Sequence, residues 1–157
     1  MQYKNIIIDD RLKKISYPAG PKIKETIKVG KIMAKVLAKV YPGQSLRLIC
    51  SGSSGAIHAA VISTNRCVKV MEIIHIKKDG EYANNNSHEV GSQSIGKCIN
   101  VIVDDFICSG GTVERIWKKF HEANNRTEMI SGVIVCGGVN ENVAESIIVD
   151  NLMCGCK

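Results

Sequence analysis

The chain has 157 residues, of which 45% are apolar and 23% charged, enough for one domain with its own core and too apolar for a disordered segment. Net charge is +6, from 21 basic and 15 acidic residues, with aromatics at only 4%. That balance suits an anionic ligand or weak nucleic-acid contact, and leaves few stacking platforms for single strands. No apolar run approaches the length of a membrane span. The opening MQYKNIIIDDRLKK has a three-residue apolar run, which does not fit a signal peptide. Seven cysteines is an odd count without CxxC spacing, so reduced thiols in a cytoplasm are expected. Cys154 and Cys156 could bind metal, but a frayed tail with free thiols is the expectation.

Residues 3–8 read as a short strand, and Tyr17-Pro18-Ala19-Gly20-Pro21 as a break. Residues 22–41 are helical in pattern, with Ile23, Ile27, Met33, Val36, Leu37 and Val40 at three- and four-residue steps. Lys24, Lys28, Lys31, Lys35 and Lys39 form a basic stripe off that face. A polyanion contact is one reading; a solvated face is the preferred one. Pro42-Gly43 ends the helix.

Residues 46–50 read as a buried strand. Ser51-Gly52-Ser53-Ser54-Gly55 follows, and then a small-residue helix over 56–63. Such turns are common linkers, yet their backbone N–H groups can also cradle an anion. Residues 67–76 are a further strand. Residues 77–89 are polar and Asn-rich, too long for an idle turn, and so read as a lid or as disorder.

The most informative stretch is residues 100–113, NVIVDDFICSGGTV. Val101, Ile102 and Val103 form a strand apolar on both faces. Asp104 and Asp105 follow at its end, where open α/β sheets bind ligands. Gly110 and Gly111 let amides curl around an anion, the helix start adds its positive dipole end, and Ser109 and Thr112 add hydroxyls. An anion cup beside an anion pair suits a ligand with phosphate at one end and hydroxyls beside it. Val113, Ile116, Trp117 and Phe120 mark the buried face of the next helix. SGVIVC at 131–136 is a strand stopped by Gly137-Gly138; a helical turn over 141–146 and a last strand at 147–149 complete the chain. Strands alternating with helices predict a single α/β domain over 1–157: an open, mainly parallel twisted sheet of about five strands flanked by helices.

VIVDDFICSGGT resembles the phosphoribosyl-pyrophosphate motif of the type I phosphoribosyltransferases: apolar strand, two acids, three mostly apolar residues, Thr or Ser, Gly, a small residue, Thr. The resemblance implies transfer of ribose 5-phosphate from phosphoribosyl pyrophosphate to a nucleobase nitrogen, with Mg²⁺ held mainly by the substrate and no firm protein ligand. It places the 5′-phosphate on Cys108, Ser109, Gly110, Gly111 and Thr112, and the ribose hydroxyls on Asp104 and Asp105. Gly52, Ser53, Ser54 and Gly55 would grip pyrophosphate, with a cis peptide at Gly52–Ser53. The family commonly has Lys or Arg in that turn, where this chain has Ser53 and Ser54.

Residues 77–95 would be the mobile lid, bringing Lys77, Lys78 and His88 to the pyrophosphate as catalytic groups. Residues 1–21 would be a hood over the base. Cys108, Gly137 and Gly138 would border the base; Cys108 cannot act as the carboxylate some purine-specific members carry there. The Lys-and-His lid leans slightly toward an orotate-type base. A homodimer is implied by resemblance alone. The alternative is a catalytically weak phosphoribosyl-pyrophosphate-binding regulator that contacts RNA, favoured by the lysine stripe and the missing loop base.

Overall fold

The computed structural model describes residues 2–3, 6–8, 23–76, 98–107, 109–124, 130–136, 148–149 and 152–154. In chain order the elements are β1 (Gln2–Tyr3), β2 (Ile6–Ile8), α1 (Ile23–Val40), β3 (Ser45–Ser51), α2 (Gly52–Ser63), β4 (Lys69–Ile76), β5 (Ile99–Asp104), α3 (Gly111–Asn124), β6 (Ile130–Val135), β7 (Ile148–Val149) and β8 (Leu152–Cys154). The long helix ends where expected. Pro42 cannot extend it, Gly43 takes φ 68°, and the Gln44 amide donates to the Tyr41 carbonyl at 3.2 Å, the pattern of a type II turn.

The helix face differs in part from the sequence expectation. Thr26, Val29, Gly30, Met33, Ala34, Val36 and Leu37 are buried, whereas Ile23 and Ile27 are 78% and 39% exposed. Ile27 lies within about 20° of Ala34, which is fully buried, but two turns nearer the helix start, before that side of the helix is covered. Ile23 lies on the row through 26, 30, 33 and 37 but a turn before its buried part begins. Lys24, Lys28, Lys31, Lys35 and Lys39 are exposed.

The main sheet has six strands in the order β4-β3-β5-β6-β2-β8, and every neighbouring pair is parallel. Strand β2 lies inside this sheet, so part of the expected hood is sheet. Cys154, expected in a frayed tail, instead ends the strand beyond β2, with Ile6, Ile7 and Ile8 opposite Leu152, Met153 and Cys154. A parallel ladder satisfies backbone groups that a loose tail would leave to water. Strands β1 and β7 pair separately. The lid at 77–95, the turn at 141–146, and Cys156 lie outside the described residues. No described helix is long and apolar enough to cross a membrane.

Side-chain alternation divides the core into two layers. Leu46, Leu48, Cys50, Val101, Val103, Ile134 and Cys136 pack with α1 and with Ala59 and Ile62 of α2. Ile49, Ile74, Ile102, Val133 and Val135 pack with Val113, Ile116 and Phe120 of α3 on the other face. Trp117, expected in the core, packs partly buried against this second layer. The connection β3–α2–β4 runs toward one edge of the sheet and β5–α3–β6 toward the other. Right-handed crossovers in opposite directions must place their helices on opposite faces. The strand order therefore reverses between β3 and β5, the kind of point at whose carboxyl edge open α/β sheets bind ligands.

Candidate functional site

Both loops singled out in the sequence meet at that reversal. Strand β3 delivers the 52–55 turn, which is the start of α2. Strand β5 delivers Asp104 at its last position, and the cup leads into α3. Close approach of the two is built into Gly55. A Cβ there would stand 2.8 Å from the Val103 carbonyl oxygen and 3.2 Å from Cys50 Cβ, so any side chain would push α2 away from the acid pair.

The first turn of α2 is held by its carbonyls. His58 Nδ1 lies 2.9 Å from the Ser54 carbonyl, and His75 Nε2 lies 3.3 Å from the Gly52 carbonyl. A carbonyl can only accept, so these nitrogens carry the protons. The N-cap residue Ser51 makes no side-chain bond to the helix. The opening amides of a helix have no partner within it, and the Ser51 side chain does not take one up. Ser51 Oγ is buried without a hydrogen-bond partner among the described residues. Gly52 reaches its turn with φ 73°, and no cis peptide occurs among the described residues. The expected cis bond at Gly52–Ser53 is therefore absent.

Asp104 is 5% exposed, and its Oδ1 accepts the Asp105 amide at 2.9 Å. Asp105 is half-buried. Beyond them a concavity is lined by Asp104, Phe106, Ile107 and residues 109–113. Ile107 anchors the loop in the core, while Phe106 is left 49% exposed at the mouth. Gly110 takes φ 77°, a conformation that a side chain would strain. Ser109 Oγ accepts the Gly111 amide at 3.5 Å. Arg115, one turn into α3, points Nη2 at Thr112 Oγ1 at 3.5 Å, and its buried Nε has no partner among the described residues. A guanidinium thus borders the cup.

The structure gathers Asp104, Ser109, Gly110, Gly111 and Thr112 around one concavity, with Asp105 bonded to Asp104 and Gly55 of the 52–55 turn against the Val103 carbonyl. Lys77, Lys78, His88, Cys108, Gly137 and Gly138 lie outside the described residues. Sequence reasoning missed His58, His75, Cys136, Phe106 and Arg115. Only His58 left a signal: an imidazole in an otherwise small and apolar helix, AIHAAV. Among the described residues no cluster of three or more His, Cys, Asp or Glu could hold a metal.

Burial pushes the Cys50 thiol up to about 11, and the charge of Asp104 adds to that. Burial also lowers the pKa of His58, against opposing pulls from the Ser54 carbonyl and Asp105. The unfolded chain therefore binds a proton at this position more readily than the folded one. The linked stability is complete above the ordinary histidine pKa near 6.5 and is lost as pH falls below it toward the folded value. Urea unfolding at about pH 7.5 and about pH 5 is expected to show a larger acid-side loss in the parent chain than in His58→Asn. Equal losses would place the acid sensitivity elsewhere.

No family model matches the chain, and no curated protein sequence matches it. Solved structures do. A hypoxanthine-guanine phosphoribosyltransferase from Bacillus anthracis, with a HEPES molecule in its active site, superposes with a TM-score of 0.50 at 17% identity, over 78% of this chain and 73% of that one. A hypoxanthine phosphoribosyltransferase from Staphylococcus aureus gives 0.46 at 13% identity, over 73% of this chain. This chain spans about 62% of the length of the Staphylococcus protein. The fold is phosphoribosyltransferase-like: an open parallel sheet flanked by helices, with the strand order reversing between β3 and β5.

Proposed function

We propose that the chain is a phosphoribosyltransferase, moving ribose 5-phosphate from phosphoribosyl pyrophosphate to a nucleobase nitrogen. One observation carries the reading. At the reversal of strand order, the start of α2, whose N-cap makes no side-chain bond, packs against β5 at Gly55 and Val103, and a concavity lined by Asp104 and the glycine-bearing 109–112 turn follows β5. A ligand suited to this row carries phosphate at one end, hydroxyls in the middle and pyrophosphate at the other.

The roles divide along that row. Ser109, Gly110, Gly111 and Thr112 take the 5′-phosphate, with Arg115 adding charge beside Thr112. Asp104 and Asp105 accept from the ribose hydroxyls and hold C1 in register. As the bond from C1 to pyrophosphate breaks, C1 becomes oxocarbenium-like. The 52–55 amides then stabilise the charge growing on the leaving group. The base nitrogen attacks C1 as the bond to pyrophosphate breaks, and its proton passes to the leaving pyrophosphate or to water. Lys77, Lys78 and His88 are proposed as the lid that adds positive charge and excludes water.

Adjacent carboxylates beside hydroxyls form a hard oxygen donor set, which fits Mg²⁺ carried in on a polyphosphate through one or two carboxylates. When bound, the ion would neutralise charge on the leaving pyrophosphate. Asp104 and Asp105 are the residues placed to hold it, directly or through water. Nothing in the described residues supports the lean toward an orotate-type base, and the base is left open.

A second reading, a donor-binding regulator that contacts RNA, draws on the exposed lysines of α1 and on the absence of a basic residue at Ser53 and Ser54. Pyrophosphate release from phosphoribosyl pyrophosphate and Mg²⁺, measured across a panel of purine and pyrimidine bases, separates the two. Turnover with one base supports the transferase. Donor binding without turnover, together with salt-sensitive RNA binding, supports the regulator.

A further inference from the structure

The start of α2 and the acid pair are joined through the core by a pair of buried side chains. His58 is fully buried. Its Nδ1 meets the Ser54 carbonyl at 2.9 Å, and its Nε2 lies 3.8 Å from Cys136 Sγ. That sulfur is 3.3 Å from the Asp105 carbonyl oxygen, which also accepts the Cys136 amide at 3.3 Å. The path thus starts in the turn after β3, crosses beneath β5, and ends on the second acid of the pair.

This is a costly way to fill a core. An imidazole and a thiol give up hydration on burial, and an aliphatic pair would occupy the space without that loss. The cost is limited because each polar atom has a partner. Nδ1 donates to Ser54, so Nε2 presents a lone pair. The Cys136 thiol proton then lies between two acceptors, Nε2 and the Asp105 carbonyl. Close packing on both sides leaves this pair little room to shorten or lengthen. Ala59 follows His58 in α2, and Val103 and Ile134 line the same layer.

We propose that His58 and Cys136 act together as a spacer, setting the separation between the 52–55 turn and the acid pair, and are positioning residues for any ligand that must touch both. The inference rests on the donor-binding reading above. Its consequence is selective. A ligand reaching both the turn and the acids feels the loss of the spacer, while a ligand seated only on the acids and the cup does not.

Calorimetry with Mg²⁺ and two probes tests this. Phosphoribosyl pyrophosphate spans the turn and the acid pair; ribose 5-phosphate reaches only the acid pair and cup. Cys136→Ala and His58→Asn are each expected to weaken the spanning probe about tenfold, the size of one lost hydrogen-bonded link, and to leave ribose 5-phosphate within about twofold. Cys136→Ser, which keeps a donor at that position, is expected to retain most of the affinity. The double variant should lose less than the product of the single losses, because the two side chains form one path. Equal weakening of both probes, or no weakening of either, overturns the spacer. Cys136→Ala alone decides the matter should His58→Asn fail to fold. A parent chain that binds neither probe overturns the donor-binding reading and the spacer's role with it, whereas a parent that binds both while its variants lose them equally overturns the spacer alone.

Discussion

Replacing Asp104 and Asp105 together by Asn is expected to lower pyrophosphate release from phosphoribosyl pyrophosphate by about 10²- to 10³-fold, the scale of removing an electrostatic partner from a reacting centre. The fold should survive. Asp104 Oδ1 serves the structure by accepting the Asp105 amide, and an Asn oxygen at the same place accepts equally well. What is lost is charge. Two carboxylates beside C1 favour a sugar that becomes positive as pyrophosphate leaves, and two carboxamides do not. The loss should fall on kcat more than on KM, because the demand for negative charge peaks in the transition state. Undiminished turnover in a variant with an unchanged unfolding midpoint would refute the assigned role. Asp105→Asn alone checks the same point, since the Asp105 side chain is half-buried.

The largest stability effect is expected far from the acid pair. Arg47 is 2% exposed near the start of β3. Its Nε stands 2.6 Å from Glu72 Oε2, and its Nη1 donates to Asn100 Oδ1 at 3.1 Å. Glu72 and Asn100 are the register partners of Arg47 on the two neighbouring strands, so one guanidinium fastens β4, β3 and β5. Arg47→Met leaves Glu72, whose side chain is only 18% exposed, as a carboxylate without its cation. Breaking such a pair from one side costs about 3–5 kcal/mol, and the residual exposure of Glu72 favours the lower end. Urea denaturation should show the midpoint falling with little change in slope. Adding Glu72→Met should recover most of the loss, because two apolar side chains pack there without a stranded charge. Failure of the second substitution to restore stability would mean that the Asn100 bond, not the ion pair, holds the strands.

These two sites differ in how far they could be read from the chain alone. The acid pair and cup were legible because their chemistry is local. Strand, carboxylates, Gly110, Gly111 and helix start are consecutive, and Gly110 adopts the left-handed φ that such a loop needs. Strand β3 was legible too, as an apolar run, but Arg47 within LRLIC has no local explanation. Its partners are 25 and 53 residues away. Ile23 and Ile27 show the converse failure. Their spacing fits a buried helix face, yet spacing does not say where along a helix the packing begins.

The order of residues by itself determined the alternation of strand and helix, the ends of α1, and a glycine-bearing turn a few residues after two adjacent acids. Those features depend on backbone preference and on neighbours a few positions apart. The pairing of the two loops across the β3–β5 reversal, the grip of His58 and His75 on the 52–55 turn, the His58–Cys136 path, and the Arg47 fastening were decided only by the tertiary structure. Each joins groups distant in sequence, and a parallel sheet chooses such partners through strand order and register, which no local pattern encodes.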